Sequence, residues 1–515
     1  MYREFSLRFM CSMYSKWGKE NICNDASSIR FSVGFQLVTH TKARCKYSSH
    51  LDAMFHRPPL RPRALFWILG WRIHTSSGGT PSTRMARKTK DLAEAYPAAC
   101  AEAKCKAVAP FVGALARAVD AGAELTFVRL NGNSKELFNG RVDGRAATAI
   151  ASALTGTATV EEVDLSYNRI DDAGAEAIAA MLARSPAVRR LDLRGNDIGP
   201  EGAAHIARAL AATGGSGESG GSGGSDENAD AASSSSSSSC RLESLRMDHN
   251  PLGDDGLIAI AQSLRHNATL RELDVGDCDA GIRGVTALCV AVFERNTTLK
   301  SLGMENPSRL FTHQSEHVFH AARMLASSGI ANLKIGKWRV DAHGIETLAA
   351  YGVAASSHLE CLNLRCNAVC EVGANSVARI VREGERLRYL NLERNPLGDR
   401  GAAAIAKALP QSNALEEIDL RCAGIGDVGL CALADGIVAT TPSRRPRVVR
   451  LWGNAFGEGA RVKWFGALLE SEEAGCPIAT DFVITRDGTD GTSGTGIARL
   501  DVPDDVAVNA WDAVY

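Results

Sequence analysis

An internal repeat constrains this chain more than any other feature. Residues 160–170 read VEEVDLSYNRI, residues 188–198 read VRRLDLRGNDI and residues 387–397 read LRYLNLERNPL. The shared template is L-x-x-L-x-L-x-x-N-x-L. Eleven copies start at Leu125, Val160, Val188, Leu242, Leu270, Leu299, Ile330, Leu359, Leu387, Leu415 and, in degraded form, Pro446. Four of the steps between copies are 28 residues long. A fixed period of this length is the signature of stacked supersecondary units.

Each copy continues in a helical pattern. In DDAGAEAIAAMLARSPAV, Gly174, Ile178, Ala179 and Leu182 fall on one face, and GPEGAAHIARALAA repeats this with Gly202, Ile206, Ala207 and Leu210. One repeat is therefore a strand, a tight turn and a helix. A unit this small buries its apolar faces only against its neighbours. Strands lie about 4.8 Å apart while packed helices need about 10 Å, so the stack must curve. The expected fold is an α/β solenoid with eleven strands in a parallel sheet on the concave face and helices on the convex face. Strand alternation sends the template leucines into the core and the intervening residues onto the concave face. The template asparagine, at 133, 168, 196, 250, 367, 395 and 454, both donates and accepts, which suits a buried turn with backbone groups to satisfy.

The period also divides the chain. Residues 125–475 read as the solenoid, interrupted at 212–239 by a Gly/Ser tract with no core-forming capacity. The repeat resumes in phase, so the tract reads as a disordered loop extruded from one repeat. Residues 85–124 read as a helical cap, with Pro97 and Pro110 as interruptions. Residues 476–515 read as a strand-hairpin cap and tail, following a helix at 458–473 and pairing Phe482–Ile484 with Ile497–Leu500. Residues 1–84 carry 13 Lys/Arg against 4 Asp/Glu and no hydrophobic period. They read as a disordered or non-native extension in preference to an organelle-targeting peptide, whose amphipathic stripe is missing.

These repeats resemble the ribonuclease-inhibitor-type leucine-rich repeats. The resemblance rests on VEEVDLSYNRIDDAGAEAIA, LDLRGNDIGPEGA, LRELDVGDCDAG, the irregular LKIGKWRVDAHGIETL and the closing TDFVITRDG with GIARLDV, and it covers roughly residues 90–500. It implies a non-enzymatic intracellular interaction protein of the cytoplasm or nucleus, the nucleolus included. Two other activities use the same fold. Ran-type GTPase-activating proteins are similar at class level, but they carry a long acidic C-terminal tract, and LDVPDDVAVNAWDAVY has only four aspartates. A ribonuclease-inhibitor-like enzyme inhibitor needs a broadly acidic concave surface to meet a basic enzyme.

Composition narrows the partners. The net charge is −1, which gives no electrostatic argument for nucleic acid or an anionic membrane as the main partner. The strongest candidate for a spanning segment, Ala64 to Trp71, is 8 residues, too short for a spanning helix. The 14 cysteines are scattered through a large chain, which points to reduced thiols in an intracellular protein. A protein partner is expected, bound by a monomer.

Catalytic, cofactor and metal sites are not expected. No P-loop and no H-E-x-x-H motif occurs. His313, His317 and His320 share a helical face beside Glu316, a possible zinc arrangement, but the same pattern fits a solvated flank beside a core stripe of Val318, Ala321, Ala322 and Leu325. Cys366 and Cys422 fill one template column two repeats apart, about 10 Å at strand spacing, too far for one ion.

The concave positions carry the candidate binding residues. Repeats two to five place Glu162, Asp164, Asp192, Asp248, Glu272 and Asp274 there against Arg190, Arg194 and Arg246, a net −3. Repeats seven to eleven place Lys334, Arg365, Arg421 and Arg450 there against Glu393, Glu417 and Asp419, a net +1. Tyr389 and Trp452 lie among these arginines. Exposed Trp, Tyr and Arg are the types enriched in binding hot spots. The expected protein-binding residues are Arg365, Tyr389, Arg421, Arg450 and Trp452. A plain capping role for Trp452 in the degraded last repeat is the competing reading.

Overall fold

The computed structural model describes residues 83–211, 240–308, 316–487 and 494–499. The expectations for residues 1–82, for the Gly/Ser tract, for His313 and for the tail after 499 lie outside these residues. Twelve strands form one parallel sheet in strict chain order. They are β1 (Phe127–Arg129), β2 (Glu162–Asp164), β3 (Arg190–Asp192), β4 (Ser244–Arg246), β5 (Glu272–Asp274) and β6 (Ser301–Gly303), then β7 (Asn332–Lys334), β8 (Cys361–Asn363), β9 (Tyr389–Asn391), β10 (Glu417–Asp419), β11 (Val448–Arg450) and β12 (Ala479–Thr480).

The helices alternate with them. Before the sheet come α1 (Thr83–Glu102) and α2 (Ala109–Asp120). The repeats then supply α3 (Gly144–Leu154), α4 (Asp172–Leu182), α5 (Pro200–Ala211), α6 (Gly253–Leu264), α7 (Ile282–Glu294), α8 (Glu316–Ser327) and α9 (Ala342–Thr347), which runs into a π turn. They continue with α10 (Ala374–Glu383), α11 (Gly398–Ala408), α12 (Asp427–Ala439) and α13 (Glu458–Glu473). The α/β solenoid follows directly from the repeat.

The sheet runs unbroken across the tract. β3 pairs with β4 in the same parallel register as every other neighbour, Leu191 opposite Leu245. The middle residue of each strand, such as Val163, Leu273, Leu333 and Leu390, is buried. The twelfth strand exceeds the eleven expected. It has only two residues, too few to show a period, and pairs Val448 with Ala479 and Val449 with Thr480. Asp481 follows it and accepts the backbone N–H groups of Leu451 at 2.8 Å and Trp452 at 3.2 Å. An antiparallel hairpin, β13 (Phe482–Asp487) with β14 (Gly494–Arg499), comes next, with Ile484 opposite Ile497.

Both ends of the sheet are covered by aromatic groups. At the start, α1 and α2 bury Leu92, Tyr96, Phe111 and Leu115, with the Tyr96 and Phe111 rings edge to face at 4.8 Å. Pro110 is the second residue of α2, in the first turn, where its missing N–H costs nothing, whereas α1 continues through Pro97. At the far end Trp464 of α13 is fully buried, donates to the Leu430 carbonyl at 3.0 Å and meets the Phe482 ring.

The asparagine column works as a ladder. Asn168 donates to the carbonyls of Leu130 and Leu165 and accepts from Val142 N–H, so one amide ties two repeats together. Asn196, Asn250, Asn367, Asn395 and Asn454 repeat the arrangement. Asn133 does not: it is exposed and accepts from Arg141. It sits in the first repeat, with no earlier strand whose carbonyl it could take. In repeat seven the column holds Trp338, fully buried, whose indole N–H donates to the Met304 carbonyl at 2.5 Å. The indole keeps the amide's donor and adds bulk.

A second set of links lies at the helix starts. Asp172 Oδ1 accepts from Gly199 and Gly202 N–H in the next repeat, Asp254 from Gly281 and Gly284, and Asp399 from Gly426 and Gly429. Each carboxylate thus caps its neighbour's helix, where the dipole favours negative charge. A Cβ at Gly202 would lie 2.5 Å from Asp172 Oδ1, which is why the position is glycine. The residue before each ladder position turns left-handed: Tyr167, His249, Lys337, Cys366, Arg394 and Cys422 have φ between 52° and 59°.

Candidate protein-binding site

The parallel register sorts the concave face into three columns. Phe127, Glu162, Arg190, Ser244, Glu272, Ser301, Asn332, Cys361, Tyr389, Glu417 and Val448 stand side by side in the first. The second runs from Arg129 through Asp274 and Lys334 to Asp419 and Arg450. The third, two residues further on, includes Arg194, Asp248, Arg365, Arg421 and Trp452.

All three arginines expected in the site form ion pairs. Arg365 holds Glu305 through two bonds of 2.9 and 3.1 Å. Arg421 holds Asp419 at 2.7 Å and Glu393 at 3.2 Å. Arg450 is buried and donates to Glu417 at 2.8 Å. Burial works to lower the Arg421 guanidinium, but its bonds to Asp419 hold it above the usual arginine range. Glu305 belongs to repeat six and escaped both charge tallies above; with it the C-terminal half of the face is balanced. Arg365 reaches Glu305 across β7 because Gly336 leaves the way open: a Cβ there would lie 2.4 Å from Glu305 Oε1. Lys334 reaches Asp274 at 3.7 Å over Gly303 in the same way.

The aromatic pair sits within this neutralised frame. Tyr389 is half-buried between Cys361 and Glu417, with the Arg388 guanidinium 5.5 Å from its ring centre. Trp452 is half-buried beyond β11 and lines a shallow depression with Phe456 and Arg461. At sheet spacing the two rings stand roughly 15 Å apart, with Asp419 and Arg421 between them.

The N-terminal half differs. Asp192, Asp248 and Asp274 converge there with Arg194 and Arg246, and Asp248 Oδ1 has no hydrogen-bond partner among the described residues. Burial first, then Asp274 and Asp192, push the Asp248 carboxyl up to about 8 against the pull of Arg194 and Arg246. His249 and Asp277 flank the group. A raised carboxyl holds its proton in the fold and loses it in the unfolded chain near pH 4, so stability falls as pH rises from about 4 to about 8. Asp248→Asn should therefore stabilise the protein by about 1–2 kcal/mol at pH 8, with the gain fading toward pH 4. Denaturant midpoints at pH 5, 6.5 and 8 measure this, and a pH-independent difference would contradict the assignment.

Of the three histidines, His317 and His320 lie among the described residues. His317 is buried, with Nε2 3.1 Å from the Trp338 carbonyl and its ring 5.4 Å from the indole. It is not on a solvated flank, because Trp338 extends beneath α8 and draws the imidazole in. Val318, Ala321, Ala322 and Leu325 form the core stripe. No three His, Cys, Asp or Glu side chains among the described residues converge in a metal-binding arrangement. The eleven cysteines among the described residues are unbridged, and burial pushes the Cys289 and Cys361 thiols up to about 12. No described helix is long and apolar enough to cross a membrane.

A family model described as "Leucine Rich repeat" matches residues 158–179, 185–207, 238–261, 266–289, 387–406 and 411–434. No curated protein matches the chain. Among solved structures, the tropomodulin C-terminal domain of Caenorhabditis elegans aligns at 15% identity over 35% of this chain and 89% of its own, with a TM-score of 0.24. Leiomodin-1 actin-binding site 2 aligns at 19% identity over 42% and 88%, with a TM-score of 0.23. The yeast complex of Rad7 and Elc1 aligns at 13% identity over 73% and 90%, with a TM-score of 0.33. The repeat template, the asparagine ladder, the single parallel sheet and the six segments matched by the family model together show leucine-rich repeats stacked in an α/β solenoid.

Proposed function

We propose that this protein is a non-enzymatic intracellular scaffold that binds a protein partner on the C-terminal half of its concave face. Tyr389 and Trp452 are the anchors, and Arg365, Arg421 and Arg450 frame them. The observation that carries the reading is the pair of half-buried aromatic rings on a face whose charges are closed in ion pairs. A partner meets fixed dipoles and two rigid rings there, without having to strip water from uncompensated charges. The protein acts as a monomer in the cytoplasm or nucleus. The repeat signatures quoted above also support kinship with leucine-rich repeat-containing protein 34, which would bring the nucleolus into that range.

Affinity purification with partner identification by mass spectrometry supplies the ligand for the test. Tyr389→Ala and Trp452→Ala should each weaken partner binding by about 2 kcal/mol at an unchanged melting temperature. A partner whose affinity survives the double substitution would move the interface to the acidic half around Glu162 and Glu272.

A further inference from the structure

A second cleft lies on the rim of the sheet, where the loops before β9, β10 and β11 line up. Its volume is about 360 Å³, and Arg386, Arg388, Arg444, Arg445 and Arg447 line it. Two of these are committed to carboxylates in the cleft: Arg386 to Glu360 at 3.0 Å, and Arg388 to Glu416 through two bonds of 3.0 Å. Arg445 is buried and locked by the carbonyls of Thr440 and Val438, both at 3.0 Å, and by Glu470 at 2.7 Å. Its Nη1 has no acceptor among the described residues.

That leaves Arg444 and Arg447. Both are exposed, and neither forms an ion pair among the described residues. Arg445 fastens the backbone that carries them to the ends of α12 and α13. The one carboxylate of the lining outside these ion pairs is Glu385.

We propose that this cleft binds a phosphorylated serine or threonine in an extended segment of a protein partner. Arginine forks match phosphate oxygens bidentately, and a phosphoryl group carries a charge of about −1.5 to −2, the complement of two uncommitted guanidinium groups. Glu360, Glu385 and Glu416 along the cleft repel a continuous polyanion, which favours a single phosphate on a peptide over a nucleic-acid backbone. Arg388 reaches both this cleft and the Tyr389 ring, so a segment anchored on the concave face continues over the rim into it. The phosphate site itself does not depend on that concave reading.

The test uses the full-length protein and an immobilised degenerate peptide library with a central phosphoserine, beside the same library with serine. Retention on the phosphorylated library should be at least about ten-fold higher. Arg444→Gln with Arg447→Gln should abolish the difference at an unchanged melting temperature, while Glu385→Gln should increase retention. Tyr389→Ala with Trp452→Ala should leave it intact, which separates this site from the concave one. Equal retention on the two libraries would overturn the proposal. So would a preference that survives the double arginine substitution, or tighter binding of a single-stranded oligoribonucleotide than of the phosphorylated library.

Discussion

Glu417→Ala is expected to destabilise the C-terminal repeats by about 3–5 kcal/mol, the cost of leaving a buried charge without its partner. The side chains of Glu417 and Arg450 are only 4% and 11% exposed, and the bond between them is 2.8 Å. Removing the carboxylate strands the guanidinium on the buried inner face of β11. The pair itself contributes far less than its rupture costs, because burying both ions already incurs a large desolvation penalty. Glu417→Leu combined with Arg450→Met should therefore lie within about 1 kcal/mol of the parent. Neighbour-only contacts make the loss local at first. Hydrogen-exchange protection in β9 to β12 is the sensitive readout, with denaturant midpoints as the global one. Equal destabilisation by the single and the double variant would show that shape, not charge, governs the position.

Trp338→Ala should cost a similar amount, about 3–5 kcal/mol, from lost burial and the cavity it leaves. The ladder position also loses the donor that satisfies the Met304 carbonyl, and His317 loses the ring it packs against. Trp338→Asn separates the two contributions. It restores an amide of the type that works at six other repeats, but leaves the volume under α8 unfilled. Its stability should fall between those of the alanine variant and the parent. If asparagine proves as damaging as alanine, the donor is dispensable and packing alone holds repeat seven.

Legibility in the sequence followed the range of the interaction. The template leucines and most of the asparagine column declare themselves because period and local chemistry agree in each copy. Trp338 hid because an indole in an asparagine position shares one donor with the amide and nothing else. The pairing of Arg365 with Glu305 hid for another reason. It spans two strand spacings, and the residue that permits it is the glycine between them, which carries no side chain to notice. The concave positions of Arg421 and Arg450 could be read from alternation. Their neutralisation could not, since Asp419 and Glu417 look like ordinary filler until register and burial place them. The aspartates that cap the next repeat's helix have the same history: each looks like a first-turn acid of its own helix, and its partner lies 27 or 30 residues further on.

The unbroken register between β3 and β4 has an evolutionary meaning. Twenty-six residues beyond the usual 28 separate Val188 from Leu242, yet Arg190 still faces Ser244 as Glu162 faces Arg190. Loop-closure entropy grows only logarithmically, so lengthening the helix-to-strand connection from the 7 residues between α4 and β3 to the 32 between α5 and β4 costs only about 1.3 kcal/mol. The α5–β4 junction is thus a port at which new sequence can be spliced into an array of this kind without renegotiating the lattice around it. Selection can try out additions there one at a time, and so can an engineer looking for a place to graft a payload.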